Sequence, residues 1–277
     1  MKENSLENTE TRPLPAKNHK WHILSGNGIK IIGVILMAMD HLHQMFTAQG
    51  APAWLSWFGR PVAVMFVFLC AEGFHYTRNK KRYMLQLLIG FLFMSVMNRL
   101  LTVLIPLEDI MLINNIFSAL LMAVFYMAMI DLLRRGLREK KAGTVALAAG
   151  GMLLPLLAGL AFVAALMTGN LTAVEILTFV PNPITAEGGL FMVGMGILFY
   201  VLRKHRLAQI GAVLIVSIFS WYTGKDPAAG NYQWLMVFAV IPMFLYNGTR
   251  GRGSKYFFYV FYPAHIYLFY IVARLIR

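Results

Sequence analysis

The chain has 277 residues, 58% of them hydrophobic and 13% charged, where soluble domains average about 45–50% and about 25%. With a mean hydropathy of +0.62, soluble globular, disordered, collagen-like and coiled-coil architectures are excluded together, which leaves an all-α, polytopic transmembrane helical bundle. The excess of 25 Lys and Arg over 12 Asp and Glu fits the basic cytoplasmic loops of such proteins, and nucleic acid is not expected as a partner.

In chain order, residues 1–28 are polar and carry Pro13, Pro15 and mixed charges, which predicts a disordered cytoplasmic tail without a cleavable signal peptide. Residues 29–277 then form a single transmembrane domain. About 20 apolar residues cross a bilayer core, and apolar runs give about nine spans, at roughly 29–47, 58–76, 83–105, 112–133, 143–167, 188–202, 207–223, 232–247 and 256–273. Residues 171–180 (LTAVEILTFV) are too short to cross and read as interfacial or re-entrant. Most of the Lys and Arg fall in the tail and in alternate loops, and the opposite side holds only Lys225, Arg274 and Arg277. The positive-inside rule therefore places the N-terminus in the cytoplasm. Cys70 is the single cysteine, so neither an intrachain disulfide nor a cysteine metal site can form. No metal is expected at the histidines either.

An ionised side chain at the bilayer centre costs about 2.5–3.5 kcal/mol on insertion scales, so each one must face the bundle interior or a wet cavity. At about 1.5 Å of rise per residue, Asp40 and His41 lie roughly 17–18 Å from the cytoplasmic boundary and His265 about 14 Å. Glu72 lies at about 9 Å, Arg99 at about 24 Å and Arg60 at about 27 Å on the same scale. In the first span Lys30, Gly33, Met37, Asp40 and Gln44 recur at helical spacing and form one stripe that cannot face lipid. A buried Asp beside a His suits a general-base unit in which the carboxylate orients the imidazole. The structural alternative is an ion pair from Asp40 to Arg60 or Arg99. Glu72 and His75 share a helix face at i, i+3 and precede a basic run, which is either a phosphate-holding mouth or ordinary membrane anchoring. Asn114, Asn115 and Ser118 read as hydrogen-bonding glue between helices, and Gly188, Gly189, Gly194 and Gly196 as close helix packing.

Four stretches carry a resemblance. They are GIKIIGVILMAMDHLHQMF, which holds Asp40-His41; FGRPVAVMFVFLCAEGFHYTRNKKRYMLQLL; NNIFSALLMA; and YNGTRG followed by KYFFYVFYPAHIYLFY, with its Tyr-Pro-x-His. In this order, across roughly residues 27–270, they resemble the TraX family of integral membrane proteins, known for pilin N-acetylation and similar to larger transmembrane acyltransferases. The resemblance implies acetyl transfer from cytoplasmic acetyl-CoA, across a bacterial plasma membrane bilayer, to an amine of a pilin-like protein or to a glycan hydroxyl at the outer side. It makes Asp40, His41, His265 and Glu72 the candidate catalytic residues. His41, oriented by Asp40, would deprotonate the acceptor or carry the acetyl group covalently, with His265 as a second proton-transfer group or oxyanion donor. Arg78, Lys80, Lys81, Arg82, Arg250 and Arg252 would hold the nucleotide of acetyl-CoA, with Arg60 and Arg99 on the acceptor side. The rival reading is a proton-coupled transporter or flippase that uses Asp40, His41 and Glu72 as a relay. No inverted repeat is visible to support it.

Overall fold

A computed structural model describes residues 21–224, 232–253 and 255–277; the tail as far as residue 20, and Lys225, lie outside them. The described residues form helices α1 (Gly26–Phe46), α2 (Arg60–Tyr76), α3 (Lys80–Leu104), α4 (Ile116–Arg138) and α5 (Ala142–Met167). These are followed by α6 (Leu171–Thr178), α7 (Gly189–Val201), α8 (Arg206–Thr223), α9 (Val240–Leu245) and α10 (Lys255–Leu275). Two 3-10 segments, Ala53–Gly59 and Gln233–Ala239, run directly into α2 and α9. Seven of these units are long and apolar enough to cross a membrane, and Gly189–Val201 and Gln233–Leu245 are shorter apolar helices. Each of the nine expected spans thus has its helix, and the all-α polytopic bundle holds. Helix α6 has only 8 residues and buries none of them, so it does not add a tenth crossing.

α2 and α4 form the axis of the bundle. On α2 pack α1, α4, α7 and the 233–239 segment; α3, α5 and α7 pack on α4, and α10 packs on α1. Val64, Val67, Phe68 and Ala71 of α2 are enclosed, whereas α5 turns Leu147, Leu153, Leu154, Leu157 and Leu160 outward, as a lipid-facing helix does. Lipid tails are as apolar as leucine, so such helices are joined by close packing and hydrogen bonds rather than by hydrophobic burial. Gly196 shows the first device. A Cβ there would lie 2.8 Å from Ala123 Cβ and 2.9 Å from Val67 Cγ1, so its absence lets α7 approach α4 and α2. Gly194, on the other side of α7, faces open space.

Two boundaries differ from the expected ones. The tail was expected to be disordered through residue 28, but residues 21–28 include an ordered clasp. Leu24 forms a backbone bridge with Tyr246, Gly26 and Asn27 donate their N–H groups to Thr249 and Arg250 carbonyls, and Ser25 caps α1 by accepting from Gly28 N–H at 3.2 Å. Gly251 makes the clasp possible: its φ of +74° is a left-handed conformation, and a Cβ would meet Ser25. At the other boundary, α4 starts at Ile116 and not near residue 112. The first N–H groups of α4 are bonded to residues from elsewhere in the chain, which leaves residues 105–115 irregular.

Gly196→Val is expected to lower stability by about 1–3 kcal/mol through overpacking against two helices. Gly194→Ala should change it by no more than about 0.5 kcal/mol. Denaturation midpoints of the detergent-purified protein measure both.

A candidate active site at a buried histidine pair

His41 comes from the last third of α1 and His265 from the middle of α10, and both are buried. Their nitrogens, Nδ1 of His41 and Nε2 of His265, lie 2.7 Å apart. Further contacts fix the direction of the pair. His265 Nδ1 lies 2.7 Å from the carbonyl of Phe261, and a carbonyl only accepts, so this nitrogen carries a hydrogen. In the neutral pair His265 Nε2 is then an acceptor, and His41 donates to it from Nδ1. His41 Nε2 is left with its lone pair, which faces the amide of Asn114, with Nδ2 at 3.3 Å. The second hydrogen of that amide goes to Gln44 Oε1 at 3.0 Å. The geometry is that of a base held in one tautomer by a fixed partner, with a ring in the place a carboxylate takes in a Ser-His-Asp triad.

The wall around the pair is built by the start of α4. Asn115 N–H donates to Glu187 Oε2 at 2.8 Å, and Ile116 N–H donates to the hydroxyl of Tyr262 at 2.9 Å. Tyr262 in turn donates to Glu187 Oε2 at 3.0 Å, and Glu187 N–H donates to Ser118 Oγ at 3.1 Å. Helix N-termini leave unpaired N–H groups and favour negative charge, so Glu187 acts as a cap delivered from a distant loop. The turn that delivers it runs through Gly188, at a φ of +75°. Tyr262 then stands edge-on to both histidine rings, with centroids 6.1 Å from His41 and 5.9 Å from His265.

Two cavities approach the pair from opposite ends of the bundle. The first, of about 860 Å³, opens between the α2–α3 and α9–α10 loops, with Lys30, Arg78, Arg82 and Arg250 around its mouth. It narrows to apolar and aromatic side chains, among them Met37, Phe66, Phe117, Tyr259 and Tyr262. The second, of about 480 Å³, lies at the opposite end and is lined by Asp40, His43, Gln44, Thr47, Ser56, Arg60 and Asn114. Neither histidine lines either cavity. Tyr262 closes the pair from the first, and Asn114 closes it from the second.

The residues singled out from the sequence part company here. His41 and His265 are brought together. Asp40 is not on His41: among the described residues no hydrogen bond joins them, and its carboxylate faces Arg60 at 3.8 Å. Position i+1 on a helix points away, and Gly59 leaves the space that Asp40 fills, since a Cβ there would overlap the Asp40 carboxylate. Glu72 sits near the basic end of α2, 3.6 Å from Arg206, and lines the first cavity, with no contact to either histidine among the described residues. Of the basic set, Arg78, Arg82 and Arg250 line the first cavity. Lys81 and Arg252 do not, and Lys80 is turned to Asp131 at 2.6 Å. Arg60 lies in the second cavity, and Arg99 pairs with Glu175 of α6 at 2.8 Å on an exposed face. Asn114, read from the sequence as interhelical glue, contacts the base itself. Glu187 escaped the sequence altogether, and Tyr262 was quoted only as part of the Tyr-Pro-x-His stretch, with no role given to it. A carboxylate in a stretch too irregular to be a span was the one available signal for Glu187.

A buried, direction-fixed histidine pair between a basic-mouthed cavity and a polar one defines a polytopic membrane protein with a two-sided internal site. Residues 25–273 match the family described as TraX protein, and the chain belongs to that family. Comparison with curated proteins and with solved structures gives no match.

Nitrogen-15 NMR of histidine-labelled protein checks the hydrogen-bond direction. Both rings should show a protonated Nδ1 and a bare Nε2 at neutral pH; the reverse pattern at His265 would contradict the assignment.

Proposed function

We propose that this protein is a membrane-embedded acetyltransferase of the bacterial plasma membrane that moves an acetyl group from cytoplasmic acetyl-CoA to an amine, as on a pilin-like protein, or to a hydroxyl at the outer side. One observation carries the reading: the His41–His265 pair lies where two chemically different cavities converge. The first suits the donor. Its basic mouth matches the phosphates of a nucleotide, which Arg binds through planar, multidentate contacts. The N–H groups of Gly26, Asn27 and Gly28 at the start of α1 are already used within the chain, so the holding falls to the side chains of Lys30, Arg78, Arg82 and Arg250. The apolar lower part takes the pantetheine arm and brings the thioester to Tyr262.

At the junction His41 Nε2 accepts the proton of the acceptor as its nitrogen or oxygen attacks the thioester carbonyl. The C–S bond breaks, and the departing thiolate takes the proton from His41. His265 holds the imidazole in the tautomer this requires. The Tyr262 ring lies on the donor side and walls the approach of the thioester, its hydroxyl hydrogen being held by Glu187 Oε2. Glu72, with Arg206, lies along the donor path rather than at the reacting atoms.

The same two-sided layout favours a second reading, proton-coupled transport with the histidine pair as the relay. Calorimetry on the detergent-purified protein separates the two. The acetyltransferase reading predicts saturable acetyl-CoA binding that excess ADP competes, weakened at least about tenfold in Arg78→Ala/Arg82→Ala, since each lost charge-assisted contact is worth about 1.5–3 kcal/mol. His41→Ala should bind acetyl-CoA normally and release CoA about 10²–10⁴-fold more slowly in membranes, as loss of a general base does. Folded protein that does not bind acetyl-CoA would overturn the reading in favour of transport.

A further inference from the structure

The second cavity differs from the first in having no aliphatic, Phe, Tyr or Trp side chain in its wall. Asp40 only accepts hydrogen bonds and Arg60 only donates them; Thr47 and Ser56 give their hydroxyl hydrogens to the His43 and Ala53 carbonyls at 2.6 and 2.8 Å and stand as acceptors, while Gln44 does both. Its charges are already matched: Asp40 faces Arg60, and Arg60 is steadied by the Ser56 carbonyl at 3.2 Å and Gln233 Oε1 at 3.3 Å. His43 is committed to the Ala51 carbonyl at 3.1 Å. A peptide recognised by a protein rests on a sheet edge or on apolar pockets for its side chains. The described wall has neither, and no uncompensated carboxylate awaits an ammonium group. A sugar-like molecule fits the wall differently, because each of its hydroxyls both donates and accepts.

Asn114 points the same way. Its two hydrogens serve Gln44 and His41, whereas its Oδ1 is buried without a partner among the described residues. An acceptor left in this state costs about 1–3 kcal/mol, and a hydroxyl hydrogen would satisfy it. The volume of about 480 Å³ falls in the small-ligand range of about 300–1,000 Å³.

We infer that the acetyl acceptor is a small, neutral, polyhydroxylated molecule of mono- or disaccharide size, bound in the cavity between Asp40, Arg60 and Asn114; this rests on the acetyltransferase reading and narrows it from amine or hydroxyl to hydroxyl. The reacting hydroxyl takes the place of the Asn114 amide at His41 Nε2. Its proton passes to that nitrogen, and its oxygen forms the new C–O bond with the acetyl carbonyl. The C–S bond breaks, and the proton leaves with the CoA thiolate, giving an acetyl ester and free CoA.

The test uses the full chain in nanodiscs with acetyl-labelled acetyl-CoA. The probes are maltose, trehalose and N,N′-diacetylchitobiose, beside a short peptide with a free N-terminus. Label released by mild base from a saccharide is expected, because esters hydrolyse under conditions in which amides survive. Ser56→Trp, which fills the cavity, should reduce that transfer at least tenfold and leave acetyl-CoA affinity unchanged. Base-stable label on the peptide alone would overturn this inference while leaving the donor reading intact. Label on no probe, with acetyl-CoA bound, would also overturn it, as would saccharide transfer undiminished in Ser56→Trp. Absence of acetyl-CoA binding would instead strike the underlying reading.

Discussion

The contact between Nδ1 of His41 and Nε2 of His265 joins the first and last helices of the bundle and orders everything around it. In a membrane interior an unpaired polar group costs several kcal/mol, so each ring nitrogen must find a partner within the protein. Phe261 supplies one from its carbonyl, the second ring supplies another, and Asn114 completes the chain. The polarity of that line follows from the carbonyl at its end. It turns a pair of residues that are otherwise interchangeable into a base and its support, with the free lone pair directed toward Asn114.

That arrangement requires backbone that is not helical. Residues 105–115 leave α3 and re-enter as α4 only at Ile116, and irregular chain among membrane helices is tolerated where protein encloses it or where it lines a cavity. Here Asn114 lines the second cavity, while Ile110, Leu112 and Asn115 are buried against the helices. Tyr270 donates its hydroxyl to the Ile105 carbonyl at 2.8 Å, Asn98 Nδ2 donates to the Asn114 carbonyl at 3.0 Å, and Glu187 with Tyr262 caps the helix that follows. The local departure from regular structure carries Asn114 to His41 and puts Tyr262 at the end of the donor cavity. Fold and site therefore share the same hydrogen bonds.

How much of this was legible in the sequence depended on the range of the interaction. Apolar runs report their own helices, so each of the nine expected spans has its helix, seven of them long and apolar enough to cross a membrane, and glycine at Gly196 marked a close approach correctly. Buried charge reports that a group must be satisfied, but not by what. Asp40 faces Arg60, one of the two ion-pair partners the sequence offered as the structural alternative, and not the neighbouring His41, because consecutive helical residues diverge by about 100°. Depth placed His41 and His265 at similar levels. Their lateral meeting depends on α1 packing against α10, and nothing local encodes that. The roles of Glu187 and Tyr262 were unreadable for the same reason, since they exist only once three distant segments meet. The basic residues separated similarly, with Lys80 drawn off to Asp131 while Arg78 and Arg82 stayed on the cavity.

The histidine pair stands between two cavities at opposite ends of the bundle, and their opening to opposite sides of a membrane can be measured. Because Cys70 is the only cysteine, a Cys70→Ser background makes single-site labelling straightforward. Asn79→Cys, in the wall of the first cavity, and Ser56→Cys, in the wall of the second, would be exposed to a membrane-impermeant maleimide in sealed vesicles of each orientation. Labelling of Asn79→Cys only from the face with the basic loops, and of Ser56→Cys only from the other face, is the predicted result. Labelling of both positions from one face would contradict a two-sided site.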